Sequence, residues 1–513
     1  MPANQPPHDS TLAGEAVDSV ADAPPVAQPH AAEHLEAAEL SPAGRWKLLS
    51  VLLAVMFMSL VSVSIVNVVL PSIESTMGAS ESDLQWVLAG YALTFGVVLV
   101  AAGRAGDLLG RGMMFIIGVV IFTLASILAG FAADPMQLNV ARFIMGIGSG
   151  LLNPQVMGMI QQHFQGAARG RAYGFLGTIV GFSVAIGPVL GGVLINWLGP
   201  DAGWRSTFLI NVPIGMIAVL MAFTWLPRPL FTRPTSRVDL DPVGTLLLAA
   251  GIFAFLFPFV QARENPVLWS LLAVALVLLA LWVWWEKRYK LRGAQPMVEL
   301  SLFRIRSFSN GTVIAGLYFM GVSSVWVLVA VYVQQARGFS ALEAGLIALP
   351  AALFSALSSH VAGRYVMTAG RKLVVGGTLS ALLGLLCTIA IIELEARGIL
   401  SIWWLLLSLS FIGLAQGFII SPNQALTLME VPVQNSGSAG GLMQTSQRVG
   451  TAVGIAVITA VFYGVNQSAG YPTAMTLSFV AISILVLATF WVALVDWRHG
   501  HRKTGLSVEA YSR

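Results

Sequence analysis

Fourteen stretches of roughly twenty or more residues, nearly free of charge, follow one another along this chain. They cover 48–70, 84–103, 113–133, 136–164, 172–199, 206–226, 242–261, 266–285, 308–336, 344–363, 373–392, 399–429, 437–464 and 471–495. An α-helix rises 1.5 Å per residue, so about twenty apolar residues cross the roughly 30 Å hydrocarbon core of a bilayer. In lipid every backbone polar group must be satisfied within the fold, and consecutive runs of this length do that as helices. The spacing therefore predicts an all-α integral membrane protein with fourteen transmembrane spans.

Composition agrees, since 56% of the 513 residues are hydrophobic and only 10% are charged. A soluble chain carries about 25% charged residues. The formal charge of +4 and the isoelectric point near 9.3 do not indicate nucleic acid, because the basic residues sit singly or in small clusters between apolar runs. The single cysteine, Cys387, lies inside an apolar run, so neither an intrachain disulfide nor a cysteine metal site is expected, and no metal or other cofactor is implied. The first forty-odd residues are rich in Pro, Ala and His and hold seven acidic residues before the first basic one, Arg45. Such a segment cannot bury enough apolar surface to order itself, and it lacks the layout of a cleaved signal peptide.

If alternate loops face opposite sides, one side takes 22 of the 28 lysines and arginines and the other takes Arg205, Arg263, Arg337 and Arg397. Basic loops stay in the cytoplasm, which places both termini there and makes the chain a multi-pass protein of the bacterial inner (plasma) membrane. An internal repeat adds the architecture. Gly103-Arg104 is followed seven residues later by Gly110-Arg111, and Gly363-Arg364 is followed seven residues later by Gly370-Arg371. Two six-helix bundles in a parallel-repeat arrangement, with two inserted helices between them, account for that offset. The expected divisions are a disordered cytoplasmic tail (1–44), an N-terminal bundle (45–227), a linker with the two extra helices (228–306), a C-terminal bundle (307–497) and a cytoplasmic tail (498–513). The inserted helices hold few polar groups and read as a structural spacer.

Charges and glycines within this frame mark candidate working parts. Gly103, Arg104, Asp107, Gly110 and Arg111 form a short turn whose one acid, set between two arginines, suits a cytoplasmic gate that latches one conformation. Met367 stands where the second copy would place that acid, so the latch is expected to be asymmetric. Arg142 and Arg448 interrupt apolar runs, and an intramembrane arginine needs water or a partner. They are read as lining a substrate cavity or proton relay, with Asn67, Tyr91 and Gln155 as polar candidates beside them; helix-to-helix hydrogen bonding is the plainer role for each polar residue. Gly174, Gly187, Pro188, Gly191 and Gly192 make one helix smooth and place a kink at Pro188. His360 is an intramembrane group with an ordinary pKa near physiological pH, though an interfacial histidine without a role is the commoner case.

These stretches together resemble the fourteen-span drug:proton antiporter branch of the major facilitator superfamily. The resemblance rests on IVNVVLPSI from Ile65, GRAGDLLGR from Gly103, RFIMGIGSG from Arg142, IGPVLGGVL from Ile186, WRSTFLINVPIG from Trp204 and PMVELSLFRIRSF from Pro296. It implies multidrug efflux and antibiotic resistance by exchange with protons, Arg142 in proton relay or cavity electrostatics, and Gly174, Gly187, Pro188, Gly191 and Gly192 as the antiporter motif. Two departures stand out. Ser62, Val63 and Ser64 occupy the stretch where many members carry an acid, and Ser183 replaces one motif glycine. A cavity with Arg142 and Arg448 but no acid favours neutral or anionic amphipaths over cations. The expected partners are a small-molecule substrate, protons as coupling ion, the lipid bilayer and, as a further candidate, a periplasmic adaptor protein. A narrow-specificity metabolite exporter or nutrient importer of the same fold is the alternative. A membrane-embedded lipid-modifying enzyme would need paired carboxylates, a metal cluster or an activated nucleophile at the membrane boundary, and the sequence offers none.

Overall fold

Runs of leucine, valine, alanine and isoleucine without interior charge can satisfy their backbone only as helices, and the computed structural model is helical throughout residues 40–230, 239–261 and 266–511, which it describes. Most of the acidic N-terminal segment lies outside the described residues, as do Arg233, Arg237, Arg263 and Arg513. The helices are α1 (Pro42–Ser64), α2 (Val66–Met77), α3 (Glu81–Leu109), α4 (Arg111–Gly130), α5 (Pro135–His163), α6 (Gly166–Leu209), α7 (Asn211–Trp225), α8 (Pro242–Gln261), α9 (Leu271–Leu291), α10 (Arg306–Val331), α11 (Ala341–Ala369), α12 (Arg371–Ala396), α13 (Leu405–Thr427) and α14 (Ser436–Tyr511). Caps punctuate them where the sequence supplies the residues. Ser80 with Asp83 and Ser340 with Glu343 close capping boxes, while Asp134 caps α5 by accepting from the Gln137 amide.

Twelve helical stretches among the described residues are long and apolar enough to cross a membrane. Two of these, Gly166–Trp225 and Val433–His499, run to 60 and 67 residues, more than twice what one crossing needs. Each contains one glycine in a conformation essentially closed to other residues: Gly199 (φ 82°, ψ 171°) and Gly470 (φ 77°, ψ 171°). At the first, the chain returns on itself, since a Cβ at Gly203 would lie 2.6 Å from the Ile195 Cα. The kink expected at Pro188 is absent as a backbone break: α6 keeps helical angles there and departs from them at Gly199. Gly187 and Gly191 let that part of α6 lie directly against Ser64 and Ile65. The expected first span is also divided, at the turn of Ile65 between α1 and α2.

Buried apolar side chains gather in three clusters. One is built mainly from α1 to α7, a second from α10 to α14, and a third joins Leu248, Ile252 and Leu256 of α8 and Trp282 of α9 to Leu93 and Val100 of α3. Helices α3 and α14 meet along one side of the molecule, α6 and α11 along the other, and α8 touches both α3 and α14.

Candidate functional site

The α3–α4 turn is tight because Gly110 adopts φ 109°, a value that admits glycine. The turn delivers Asp107 to the start of α14, with its side chain 1% exposed. Its carboxylate accepts from the Gly437 amide at 3.0 Å, the Ser438 amide at 2.9 Å and the Ser438 hydroxyl at 3.0 Å. The N-terminal amides of a helix have no internal partners and carry positive partial charge, so a carboxylate there is strongly favoured. Arg111 holds the same carboxylate at 2.8 Å and also donates to Gln162 Oε1 at 2.8 Å and to the carbonyls of Gly158 and Val433. Backbone meets backbone beside this contact: a Cβ on Gly103 would stand 2.4 Å from the Gly437 carbonyl oxygen. Gln161 donates to the Leu428 carbonyl, adding a further tie at the same end.

On the opposite side, the small residues of α6 serve the same close approach. A Cβ on Gly174 would lie 2.8 Å from the Gly363 Cα, and one on Gly170 would lie 2.7 Å from the Gly363 carbonyl oxygen. His360 sits along this contact, its ring 5.2 Å from that of Phe175. In the second copy of the repeat, Arg371 pairs with Asp496 and donates to Asn423 Oδ1 at 2.6 Å and the Ser307 carbonyl at 3.1 Å. Asn310 completes the group by donating to Asp496 at 2.8 Å. All of these partners lie between α10 and the end of α14, so this arginine is satisfied without reaching α1–α7.

Within the helices, Arg142 is 1% exposed. Its Nε donates to the Val87 carbonyl at 2.8 Å, its guanidinium stacks 4.4 Å from the Tyr91 ring centre, and Nη1 has no partner. The Tyr91 hydroxyl closes a triangle with Ser149 (2.6 Å) and Ser59 (3.2 Å), and the two serines are 2.8 Å apart. One helical turn along α3, Phe95 lies 5.9 Å from Tyr91 and carries the Arg448 guanidinium 4.4 Å from its centre. The Tyr91–Phe95 pair thus brings both intramembrane arginines to one place. Among the described residues neither forms an ion pair with a carboxylate. In the stretch without the acid, Ser62 accepts from Asn211 Nδ2 at 2.9 Å and Ser64 donates to the Ser183 carbonyl at 2.9 Å.

A cavity of about 480 Å³ opens between α6 and α11, walled by Val184, Pro188, Val193, Trp326 and Leu349, with Asn196 and Gln416 as its amide side chains. Of the motif residues, Pro188 and Gly192 lie on its wall, and nothing lies within 4 Å of where a Gly192 Cβ would be. None of Arg142, Arg448, Asn67, Tyr91 and Gln155 lines it. Gln155 is instead buried against α3, donating to the Ala102 carbonyl at 2.7 Å, and Asn67 is exposed, with its amide 3.3 Å from the Val63 carbonyl. Asp496, Ser59, Ser149 and Phe95 escaped the sequence reading; a serine or phenylalanine in an apolar run carries no periodic or charge signal that separates a working residue from packing.

The family model described as Major Facilitator Superfamily matches residues 52–455 and 311–508. The chain is similar to a protein named "Probable actinorhodin transporter" from Streptomyces coelicolor, at 35% identity over 83% of this chain and 74% of that one. It is also similar to the "Tetracenomycin C resistance and export protein" of Streptomyces glaucescens, at 30% identity over 80% of this chain and 74% of the relative. Among solved structures, the proton:xylose symporter XylE matches with a TM-score of 0.63 at 16% identity, covering 89% of this chain and 96% of that one.

Proposed function

Because the chain belongs to the major facilitator superfamily, we propose that it is a secondary efflux transporter that moves small amphipathic compounds out of the cell by alternating access, in exchange for protons. Relatives named for actinorhodin transport and for tetracenomycin C resistance and export support the direction and the substrate class. The observation that carries the reading is the pairing of a closed end with an open one. Asp107 seals α3 to the N-terminus of α14, while the apolar cavity between α6 and α11 stays open. That combination is one half of an alternating-access cycle, the state closed toward the cytoplasm.

The finer topology follows from the same frame. Each of the two over-long stretches crosses twice, turning at Gly199 and at Gly470, which brings the twelve stretches to fourteen crossings. Both termini then lie in the cytoplasm, and the basic loops obey the positive-inside rule at the plasma membrane of a bacterium. Residues 45–227 and 307–497 act as the two moving bundles. The guanidiniums of Arg142 on α5 and Arg448 on α14, neither held by a carboxylate among the described residues, set a positive field around the Tyr91–Phe95 pair of α3, which favours neutral and anionic amphipaths.

Everted membrane vesicles with an acid interior test this reading. A hydrophobic cation, a neutral amphipath and an organic anion are added in turn, with Arg142→Ala vesicles in parallel. Collapse of the pH gradient by the anion or the neutral compound, abolished by the substitution, is the expected result. A gradient untouched by every compound would overturn the exchange with protons, and a response to the cation alone would overturn the charge preference.

A further inference from the structure

The three charges of the α3–α4 turn face three different ways. Asp107 reaches α14 and Arg111 reaches α5, whereas Arg104, 8% exposed, turns toward the inserted helices. Its Nη2 donates to Gln295 Oε1 at 3.0 Å, and its Nε has no hydrogen-bond partner. The carboxylates whose fields reach it are Asp107, Asp239, Glu286 and Asp241. Three of these four belong to the segments that begin and end the inserted pair.

Each of those three is fixed by the pair itself. The Tyr289 hydroxyl donates to Asp239 at 2.7 Å, Trp285 Nε1 and the Gly244 amide donate to Asp241 at 2.8 and 2.9 Å, and Trp282 Nε1 donates to Glu286 at 2.8 Å. Asp241 and Glu286 are 0% and 1% exposed, and each keeps one oxygen without a partner. Carboxyl groups are thus built into the inserted pair and kept from water, where attraction of their ionised forms to a cation is least screened. A Cβ on Gly96 of α3 would lie 3.3 Å from Leu256 Cδ1 of α8, and Leu442 and Val449 of α14 join the same apolar cluster. The pair therefore touches both partners of the latch.

We propose that α8 and α9 are a positioning element for the latch, in which Gln295 by direct contact, and Asp239, Asp241 and Glu286 by the charge around it, set Arg104 so that the last turn of α3 presents Asp107 to α14. Arg104 and Asp107 are three residues apart on one helix, so fixing the first side chain against the inserted pair fixes the rotational setting that the second requires to reach α14. The inference rests on the reading of Asp107 as a cytoplasmic latch.

Ala439, buried beside that contact, reports its state as a single cysteine in a Cys387→Ser background. Everted vesicles expose this face to a membrane-impermeant maleimide, and the alkylation rate follows the unlatched fraction. Asp241→Asn and Glu286→Gln keep shape and hydrogen-bond acceptors while removing charge; Gln295→Glu, at an exposed position, adds charge beside Arg104. The first two should raise the rate by about fivefold or more and the third should lower it, with Arg104→Lys intermediate between wild type and Arg104→Ala. Asp107→Asn serves as the reference for a broken latch. If it raises the rate while the charge-removing variants and Gln295→Glu leave it unchanged, the positioning role is wrong and the latch stands. If Asp107→Asn itself changes nothing, the latch reading falls and this inference with it.

Discussion

At Gly103 the distance between two backbones decides what the residue can be. A methyl group there would meet the Gly437 carbonyl at 2.4 Å, and neither helix end has a flexible side chain to yield. Gly103→Ala should destabilise the closed state by about 1–3 kcal/mol, the range of overpacked contacts. Since 1.4 kcal/mol is a factor of about ten in a two-state equilibrium, export should fall several-fold while cytoplasmic alkylation of Ala439→Cys rises. Tyr91 separates two roles in one side chain. Tyr91→Phe keeps the ring under Arg142 and removes one hydroxyl from the buried triangle, so it should lower the thermal midpoint by the equivalent of about 1 kcal/mol and leave charge preference unchanged. Tyr91→Ala should alter both, which a transport panel with melting curves resolves. The charge pattern of the turn was legible in the sequence because a lone acid between two arginines is a strong local signal. Its partner was not, since Gly437 and Ser438 contribute backbone amides 330 residues away, and an amide has no letter of its own.

Single elements show how closely the two repeats correspond and where they part. Gly199 and Gly470 adopt nearly the same dihedral angles at equivalent places in the two halves. Nothing lies within 4 Å of a Cβ at either position, so Gly199→Ala and Gly470→Ala each test backbone strain alone. Each should cost about 1–3 kcal/mol, measured as a lower melting temperature of the purified protein. The Arg371–Asp496 pair predicts a different pattern. Both side chains are nearly buried, so Asp496→Ala leaves an uncompensated guanidinium and should destabilise the fold by about 3–5 kcal/mol while leaving the ties between α3 and α14 intact. Met367 in place of Asp107 announced that the copies differ, and the apolar runs located nearly every helix. What replaced the missing acid was illegible, because Asp496 lies 125 residues beyond Arg371 at the end of another helix. The close approach of Gly187 and Gly191 to Ser64 and Ile65 was illegible for a related reason: proline and glycine mark where a helix can bend or pack closely, but no local pattern names the helix that comes near.

At the scale of the whole molecule, the contacts are unevenly distributed. One seam, α3 against α14, carries the carboxylate latch and is covered by α8; the other, α6 against α11, is a run of small residues that widens into the cavity. A Cβ on Gly192 meets nothing within 4 Å, and Gly192→Trp extends a large ring from it into the cavity, so export should be lost with the melting temperature unchanged. Loss of stability in parallel would mean that the wall is packed rather than open. The latch itself has an electrical consequence. Asp107 and Arg111 form a neutral pair that stays together on the α3–α4 turn, which leaves the turn the single net charge of Arg104. A single charge moved through 100 mV would change a step by about 2.3 kcal/mol, and on this turn only Arg104 gives voltage something to act on. If this turn opens as the proposed cytoplasmic gate, any dependence of that step on membrane potential therefore enters through Arg104 and not through the latch pair.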